Sequence, residues 1–355
     1  MCGFAGITNT NPNILDHKLI LNNLSHRGPD TSGKFFNKEI CLFHTRLSIL
    51  DLSESASQPM IDKKTKITIV YNGEIYNFKE LKKKLPEENF CSKSDTEVLL
   101  KLYIKFGCSF LNMLEGMFSF AIWDPKKKQT ILARDRFGIK PLFYLFKKKK
   151  LSFASEIKAL LSLGHEKQIN FKTISEYLTL GMPGVLDNTF FKNIRNFPPG
   201  NYMLFKNGKI KIKKFWSIEE EFKDSSNFEN NKSTEKKTYE KLKSSVKKHL
   251  ISDVPVGLCL SSGTDSTLLL FLLNELGVKN INTFTYGFIE SKYNEIRKVK
   301  NSRLNNNIIH NSRIITPFNF LKNLEKAIFQ FETPLGGLGT LGLWQLFSLA
   351  KEKKI

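Results

Sequence analysis

No uninterrupted apolar run in the sequence approaches the ~18 residues that cross a membrane, and the first twenty residues lack the basic start and apolar centre of a signal peptide. These absences predict a cytoplasmic protein with no membrane partner. Paired cysteines are also missing. Cys2, Cys41, Cys91, Cys108 and Cys259 are scattered without CxxC spacing, which suggests neither a disulfide framework nor a zinc site and predicts reduced thiols. Acidic residues are scarce, 34 against 55 Lys and Arg, for a net charge of +21. That excess invites nucleic acid, whose phosphates are neutralised by lysine and arginine. Its distribution argues otherwise. Lys82 to Lys84, Lys126 to Lys128, Lys147 to Lys150 and Lys351 to Lys354 fall at expected turns or element ends rather than along one helix face. No nucleic-acid partner is expected.

What is present is an ordinary globular composition, 41% hydrophobic and 25% charged, in 355 residues, enough for two cores. The first two hundred residues are mostly short β-rich runs. Ile67 to Tyr71, Phe118 to Trp123 and Leu142 to Phe146 read as strands from their β-branched and aromatic content. A helix is expected over Glu97 to Tyr103 behind the Ser94-Asp95 cap, and another near Asp16. Strands in series with few helices predict a layered α+β domain. Between Glu219 and Lys237 the chain turns polar and reads as a linker. Tyr239 to Leu250 then reads as an amphipathic helix, Val254 to Leu260 and Ile281 to Phe288 as buried parallel strands, and Thr267 to Leu276 as the helix between them. Strand, helix, strand predicts an α/β domain.

Cys2 is the first candidate for chemistry. Removal of Met1 would leave one residue carrying both a thiol nucleophile and an α-amine whose unperturbed pKa, near ~8, suits a general base. A small buried residue in a first strand would look the same. In Tyr71-Asn72-Gly73-Glu74-Ile75-Tyr76-Asn77, the Asn72 amide and the Gly73 N–H could both donate to one oxyanion, although Asn-Gly is also the preferred type I′ hairpin pair. Arg46 could fork onto a carboxylate, and Glu74 with Asp95 could hold an ammonium, where isolated charges more often form surface ion pairs. Val256 to Ser266 reads as a strand entering a small-residue loop that opens a helix, suited to phosphate or simply to a capped turn.

Cys2-Gly3-Phe4-Ala5-Gly6, His26-Arg27-Gly28-Pro29-Asp30, Arg46-Leu47-Ser48-Ile49, the Tyr71 to Asn77 run, Ser94-Asp95-Thr96-Glu97 and Arg134-Asp135-Arg136-Phe137-Gly138-Ile139-Lys140-Pro141-Leu142 together resemble the class II glutamine amidotransferases. In order and spacing they look most like the glutamine-hydrolysing asparagine synthetases. The resemblance implies an α+β N-terminal-nucleophile hydrolase sandwich (αββα) over 2–215, a linker over 216–238 and an α/β ATP-pyrophosphatase-type domain with a parallel sheet over 239–355. It implies that Cys2 attacks the glutamine amide and that Asn72 with Gly73 stabilises the oxyanion. Arg46, Leu47, Ser48, Glu74 and Asp95 would bind the rest of glutamine.

The loop resembles the Ser-Gly-Gly-x-Asp-Ser pattern of ATP pyrophosphatases. This implies that Ser261, Gly263, Asp265 and Ser266 cradle ATP, with Leu260 and Tyr286 beside the adenine and Asp265 on Mg2+. The implied reaction activates aspartate as β-aspartyl-AMP, which ammonia attacks to give asparagine, AMP and pyrophosphate. A different carboxylate acceptor, such as a sugar acid or peptide precursor, or a non-catalytic remnant, are the alternatives, and a homodimer is left open. Two departures stand out. Ser262 replaces a loop glycine, and Glu332 to Leu338 with the helix Leu341 to Lys353 leads toward a further strand that the chain does not supply, so the second domain is expected to be incomplete.

Overall fold

β1 (Gly3–Thr8) is buried along its whole length, because both of its edges are paired and both of its faces are covered. The computed structural model describes residues 1–181, 187–223, 232–290, 294–302 and 307–355, which fall into two units, Met1–Asn227 and Phe228–Ile355. After β1 the first unit runs α1 (His17–Leu24), β2 (Thr31–Phe36), β3 (Ile40–Arg46), β4 (Met60–Ile61), β5 (Thr68–Ile75), α2 (Phe78–Lys82), α3 (Asp95–Phe106), β6 (Gly116–Asp124), β7 (Gln129–Arg134), β8 (Phe143–Lys147) and β9 (Lys150–Ala154). It closes with α4 (Ile157–Leu161), α5 (Phe171–Leu180), β10 (Arg195–Asn196), β11 (Asn201–Lys206), β12 (Lys209–Lys214) and α6 (Ile218–Lys223).

The strands form two six-stranded antiparallel sheets, ordered β10-β8-β9-β1-β3-β2 and β12-β11-β7-β6-β5-β4. Alternation along each strand decides the layers. Phe4, Ile40 and Leu42 of the first sheet pack against Val70, Ala121, Trp123 and Met203 of the second. The other face of the first sheet, with Ala5, Ile7 and Phe43, meets Ile20 and Leu24 of α1 and Leu160 of α4. Each such fully buried Leu, Ile or Phe contributes about 1.5–3 kcal/mol relative to exposure. Behind the second sheet lies α3, whose Tyr103 hydroxyl donates to Asp124 Oδ2 at 2.8 Å and whose ring meets Phe110, which in turn packs on Phe120. The layers are therefore αββα, as expected. Ser94 Oγ caps α3 by accepting from the Glu97 amide, and Asp16 caps α1 through Leu19, so both helix starts follow from their sequence signals.

β5 does not stop before its Asn-Gly pair. It continues through Ile75 alongside β6, with Asn72 opposite Ser119 and Gly73 opposite Phe118. A Cβ on Gly73 would lie 2.4 Å from the Met117 carbonyl oxygen, so the glycine serves close strand approach rather than a turn.

The second unit runs α7 (Lys232–His249), β13 (Gly257–Cys259), α8 (Thr264–Glu275), β14 (Ile281–Phe288), α9 (Glu295–Ser302), β15 (Ile308–Ile315), α10 (Pro317–Phe331) and α11 (Leu338–Glu352). Its sheet is parallel, in the order β13-β14-β15. Val246 of α7, Leu270 and Leu273 of α8 and Val299 of α9 pack with Leu260 and Ile281 in one cluster, while Leu346 and Leu349 of α11 pack on Phe284 in another. One expectation needs correction. β13 has three residues instead of seven and is an edge strand with Gly257 and Cys259 exposed, because Pro255 offers no N–H to a ladder. The expected linker is helical at both described ends, in α6 and in the first residues of α7, since its lysines and glutamates are good helix formers. Its residues 224–231 lie outside the described residues.

Candidate active site

A cleft in the first unit brings together the start of β1, the end of β3, the middle of β5 and the first turn of α3. Cys2 lies in it with its sulfur against the backbone of Leu47, donating to the carbonyl at 3.6 Å and accepting from the amide at 3.4 Å. Burial pushes the thiol pKa up, while the Leu47 amide, the neighbouring amino terminus and Arg46 pull it down. A thiol so placed needs a base. The amine present in the cleft is that of Met1, whose pKa burial, helped by Lys140 and Arg27, lowers to about 6; the Cys2 α-amine itself is tied up in a peptide bond until Met1 is removed. Met1 lines the cleft, which retains about 40 Å³ of open space, room for water rather than for an amino acid.

Asn72 is 1% exposed and lines the cleft, and neither its Nδ2 nor its Oδ1 has a hydrogen-bond partner. Leaving such an amide unmatched costs about 1–3 kcal/mol, so its donor is held ready for something that arrives. Gly73 follows it into the same wall.

Arg46 is buried and also lines the cleft, but three of its donors are committed to carbonyls of the following loop: Ser53 at 2.8 Å, Leu50 at 3.3 Å and Asp51. Two of the five guanidinium N–H groups are left for a ligand. Leu47 lines the cleft. Ser48 does not; its amide donates to Asp30 Oδ2 at 2.7 Å, tying two of the sequence motifs together.

Glu74 and Asp95 both line the cleft. Burial raises the Asp95 pKa to about 6, the Glu74 charge adding to the rise, while the Ile75 amide and Tyr71 hydroxyl oppose it. Two facing carboxylates of this kind suit a substrate ammonium, which would relieve their repulsion.

Lys140, Gln58 and Tyr71 are cleft residues that sequence reasoning did not single out. Lys140 stood inside a recognised motif, and the structure explains that motif. The Asp135 carboxylate accepts from the amides of Phe137, Ile139 and Lys140 at 3.1, 3.0 and 3.0 Å. Arg134 donates to the carbonyls of Lys140 at 2.7 Å and Gly138 at 2.8 Å. His26 and Arg27 of another motif converge on buried Glu156, whose carboxyl they and Lys158 hold at about 2 against the upward push of burial.

In the second unit, Leu260 is buried and its amide donates to the Phe284 carbonyl at 2.8 Å, which ends β13. Ser261 and Ser266 lie with their hydroxyls 2.8 Å apart, and Gly263 N-caps α8. Ser262 has an ordinary negative φ, so its replacement of a glycine carries no backbone strain. Its amide donates to Glu295 Oε2 at 2.7 Å. Asp265 is exposed in the first turn of α8. Tyr286 stands on β14 with its ring against Gly342 of α11, so any contact with adenine there falls to the backbone. The hydroxyls and the α8 amino terminus fit a polyphosphate with its Mg2+, Asp265 being the carboxylate placed to hold the ion.

Residues 1–216 match the family model for a glutamine amidotransferase domain, the class that the αββα layers and the Cys2 cleft define. Residues 237–355 match the model for asparagine synthase, and the chain belongs to the glutamine-hydrolysing asparagine synthetase family. It is similar to asparagine synthetase (glutamine-hydrolyzing) 1 of Bacillus subtilis, 31% identical over all of this chain and 56% of that protein. Asparagine synthetase (glutamine-hydrolyzing) 2 of the same organism is 37% identical over 80% of this chain and 40% of that protein. Amidase chry2 of Gibberella zeae is 35% identical over 71% of this chain and 38% of that protein. The chain thus spans 56% of the length of the first of these relatives and 40% and 38% of the other two.

Proposed function

We propose that the first unit hydrolyses glutamine and passes the ammonia to a carboxylate acceptor activated by ATP. Cys2 Sγ attacks the side-chain amide carbon while the α-amine, exposed by loss of Met1, takes the thiol proton. Asn72 Nδ2 and the Gly73 N–H receive the negative charge that develops on oxygen. The amine returns the proton to the leaving nitrogen, ammonia departs and a γ-glutamyl thioester remains. Water then releases glutamate and restores the thiol. Glu74 and Asp95 hold the substrate ammonium, and the two uncommitted Arg46 donors its carboxylate. The observation that carries this reading is the buried, unpartnered Asn72 amide in the same cleft as Cys2.

In the second unit Ser261, Gly263 and Ser266 would hold the ATP phosphates, with Leu260 and the backbone at Tyr286 near the base. Mg2+ on Asp265, when bound, neutralises phosphate charge. Aspartate is the proposed acceptor, activated as β-aspartyl-AMP. A sugar acid or peptide carboxylate is the second reading, supported by the relative that bears the name amidase.

The test is product analysis by mass spectrometry on the chain with Met1 removed, given glutamine, aspartate, ATP and magnesium. Asparagine with AMP and pyrophosphate supports the full proposal. Glutamate alone supports the glutaminase and turns attention to other acceptors. If no glutamate forms, or if Cys2→Ala forms as much as wild type, the glutaminase reading is wrong.

A further inference from the structure

We propose that Lys140 is the counter-charge for the Cys2 thiolate, a charge-balancing residue of the glutaminase cleft; this assignment rests on the glutaminase reading above. Lys140 is 2% exposed and lines the cleft with Cys2, Asn72 and Glu74. Among the described residues its ammonium makes no hydrogen bond and no ion pair within 4.0 Å. The side chain is thus largely withdrawn from water and its ammonium meets only the cleft, so an anion that appears there during the reaction would be favoured by it.

The chain around Lys140 is built to hold it there. Its amide is taken by Asp135 and its carbonyl by Arg134, and Pro141 fixes the next φ. Charged groups from several elements act on this pair: Glu74 of β5, Asp135 and Arg27 on Lys140, and Arg46 at the end of β3, Asp95 at the start of α3 and the amino terminus on Cys2. Burial lowers the Lys140 pKa, Glu74 and Cys2 raise it, and Arg27 lowers it further. Once a substrate ammonium neutralises Glu74, Cys2 and Asp135 remain among the groups that favour the charged lysine, and the Asp135 carboxylate is already engaged by the amides of Phe118, Phe137, Ile139 and Lys140. Arg46 is less able to take this role, since three of its donors hold the loop. Lys140 keeps its own protons throughout; the proton from Sγ still goes to the α-amine.

The experiment follows alkylation of Cys2 by iodoacetamide against pH, read on the amino-terminal peptide by mass spectrometry so that exposed Cys91 and Cys259 do not contribute. Wild type, K140M, K140Q and K140R, each with Met1 removed, are compared, and glutamine turnover is measured in parallel. In K140M and K140Q the midpoint should rise by about one pH unit, so that alkylation at neutral pH falls on the order of tenfold. K140R should restore most of it. An unchanged midpoint in both neutral variants overturns the proposal. So does an unchanged midpoint with a raised KM for glutamine, which would make Lys140 a ligand of the substrate carboxylate. If wild type fails to hydrolyse glutamine while the midpoint still moves, the coupling of Lys140 to Cys2 stands and the glutaminase reading falls.

Discussion

The Tyr71 hydroxyl donates to Asp95 Oδ2 at 2.7 Å, and the Ile75 amide donates to the same oxygen at 2.9 Å. One carboxylate oxygen thus joins β5 to the first turn of α3 and fixes the acidic wall of the cleft.

That carboxylate makes stability depend on pH. The folded pKa is raised from 3.8 to about 6, first by burial, so Asp95 favours folding while it is protonated. The contribution is complete below pH 3.8 and is lost as pH rises through 6. The rise corresponds to about 3 kcal/mol, an upper bound for the cost of ionising the group. Asp95→Asn should therefore be more stable than wild type at pH 8, equal to it near pH 4, and poor in glutamine turnover. Urea unfolding at the two pH values checks this; an Asn variant less stable at pH 8 would contradict it.

Asn72→Ala should separate activity from stability. Loss of the oxyanion donor should lower kcat on the order of a hundredfold. Since neither amide atom has an internal partner, the unmatched polarity relieved, about 1–3 kcal/mol, should offset the cavity left by the shorter side chain, and stability should not fall. A change confined to KM would deny the amide its proposed role.

Gly73→Ala should behave differently. Its Cβ would meet the Met117 carbonyl oxygen at 2.4 Å, forcing β5 and β6 apart. Destabilisation of about 1–3 kcal/mol is expected together with lost turnover. A melting temperature equal to wild type would mean that the strands have more room than the structure gives them.

Asp265→Ala should leave glutamine hydrolysis intact and abolish release of pyrophosphate. The residue is exposed, so folding should be affected only through the helix end, by about 0.3–1 kcal/mol. Equal loss of both activities would indicate misfolding instead.

Much of the fold was legible because local and tertiary signals agree. α3 begins at its Ser94 cap, and β14 covers Ile281–Phe288 as its apolar run predicts. Where they disagree, the sequence misleads. Asn72-Gly73 has the chemistry of a hairpin turn, yet close approach of β6 keeps it in a strand. The apolar run before Leu260 looked long enough for a buried strand, but Pro255 and an edge position shorten it. Cys2, Arg46, Asn72, Glu74 and Asp95 were visible as motif residues and do meet in one cleft. Lys140 was visible only as a letter in a motif, because nothing in a sequence states that a lysine will be buried without a partner. Ser48 was read as a ligand from its neighbours, and only the loop geometry turns its amide to Asp30.

The central place of β1 reaches into how the protein must be made. With β3 on one edge and β9 on the other, the strand has no freedom to slide, and Cys2 meets the cleft one residue before it begins. Any residue left ahead of Cys2 is carried into the space where substrate should lie. Added sequence is commonly tolerated at loose chain ends. Here an amino-terminal affinity tag would silence the enzyme unless a protease cut it back to the cysteine, whereas the same tag cut to that point should restore it.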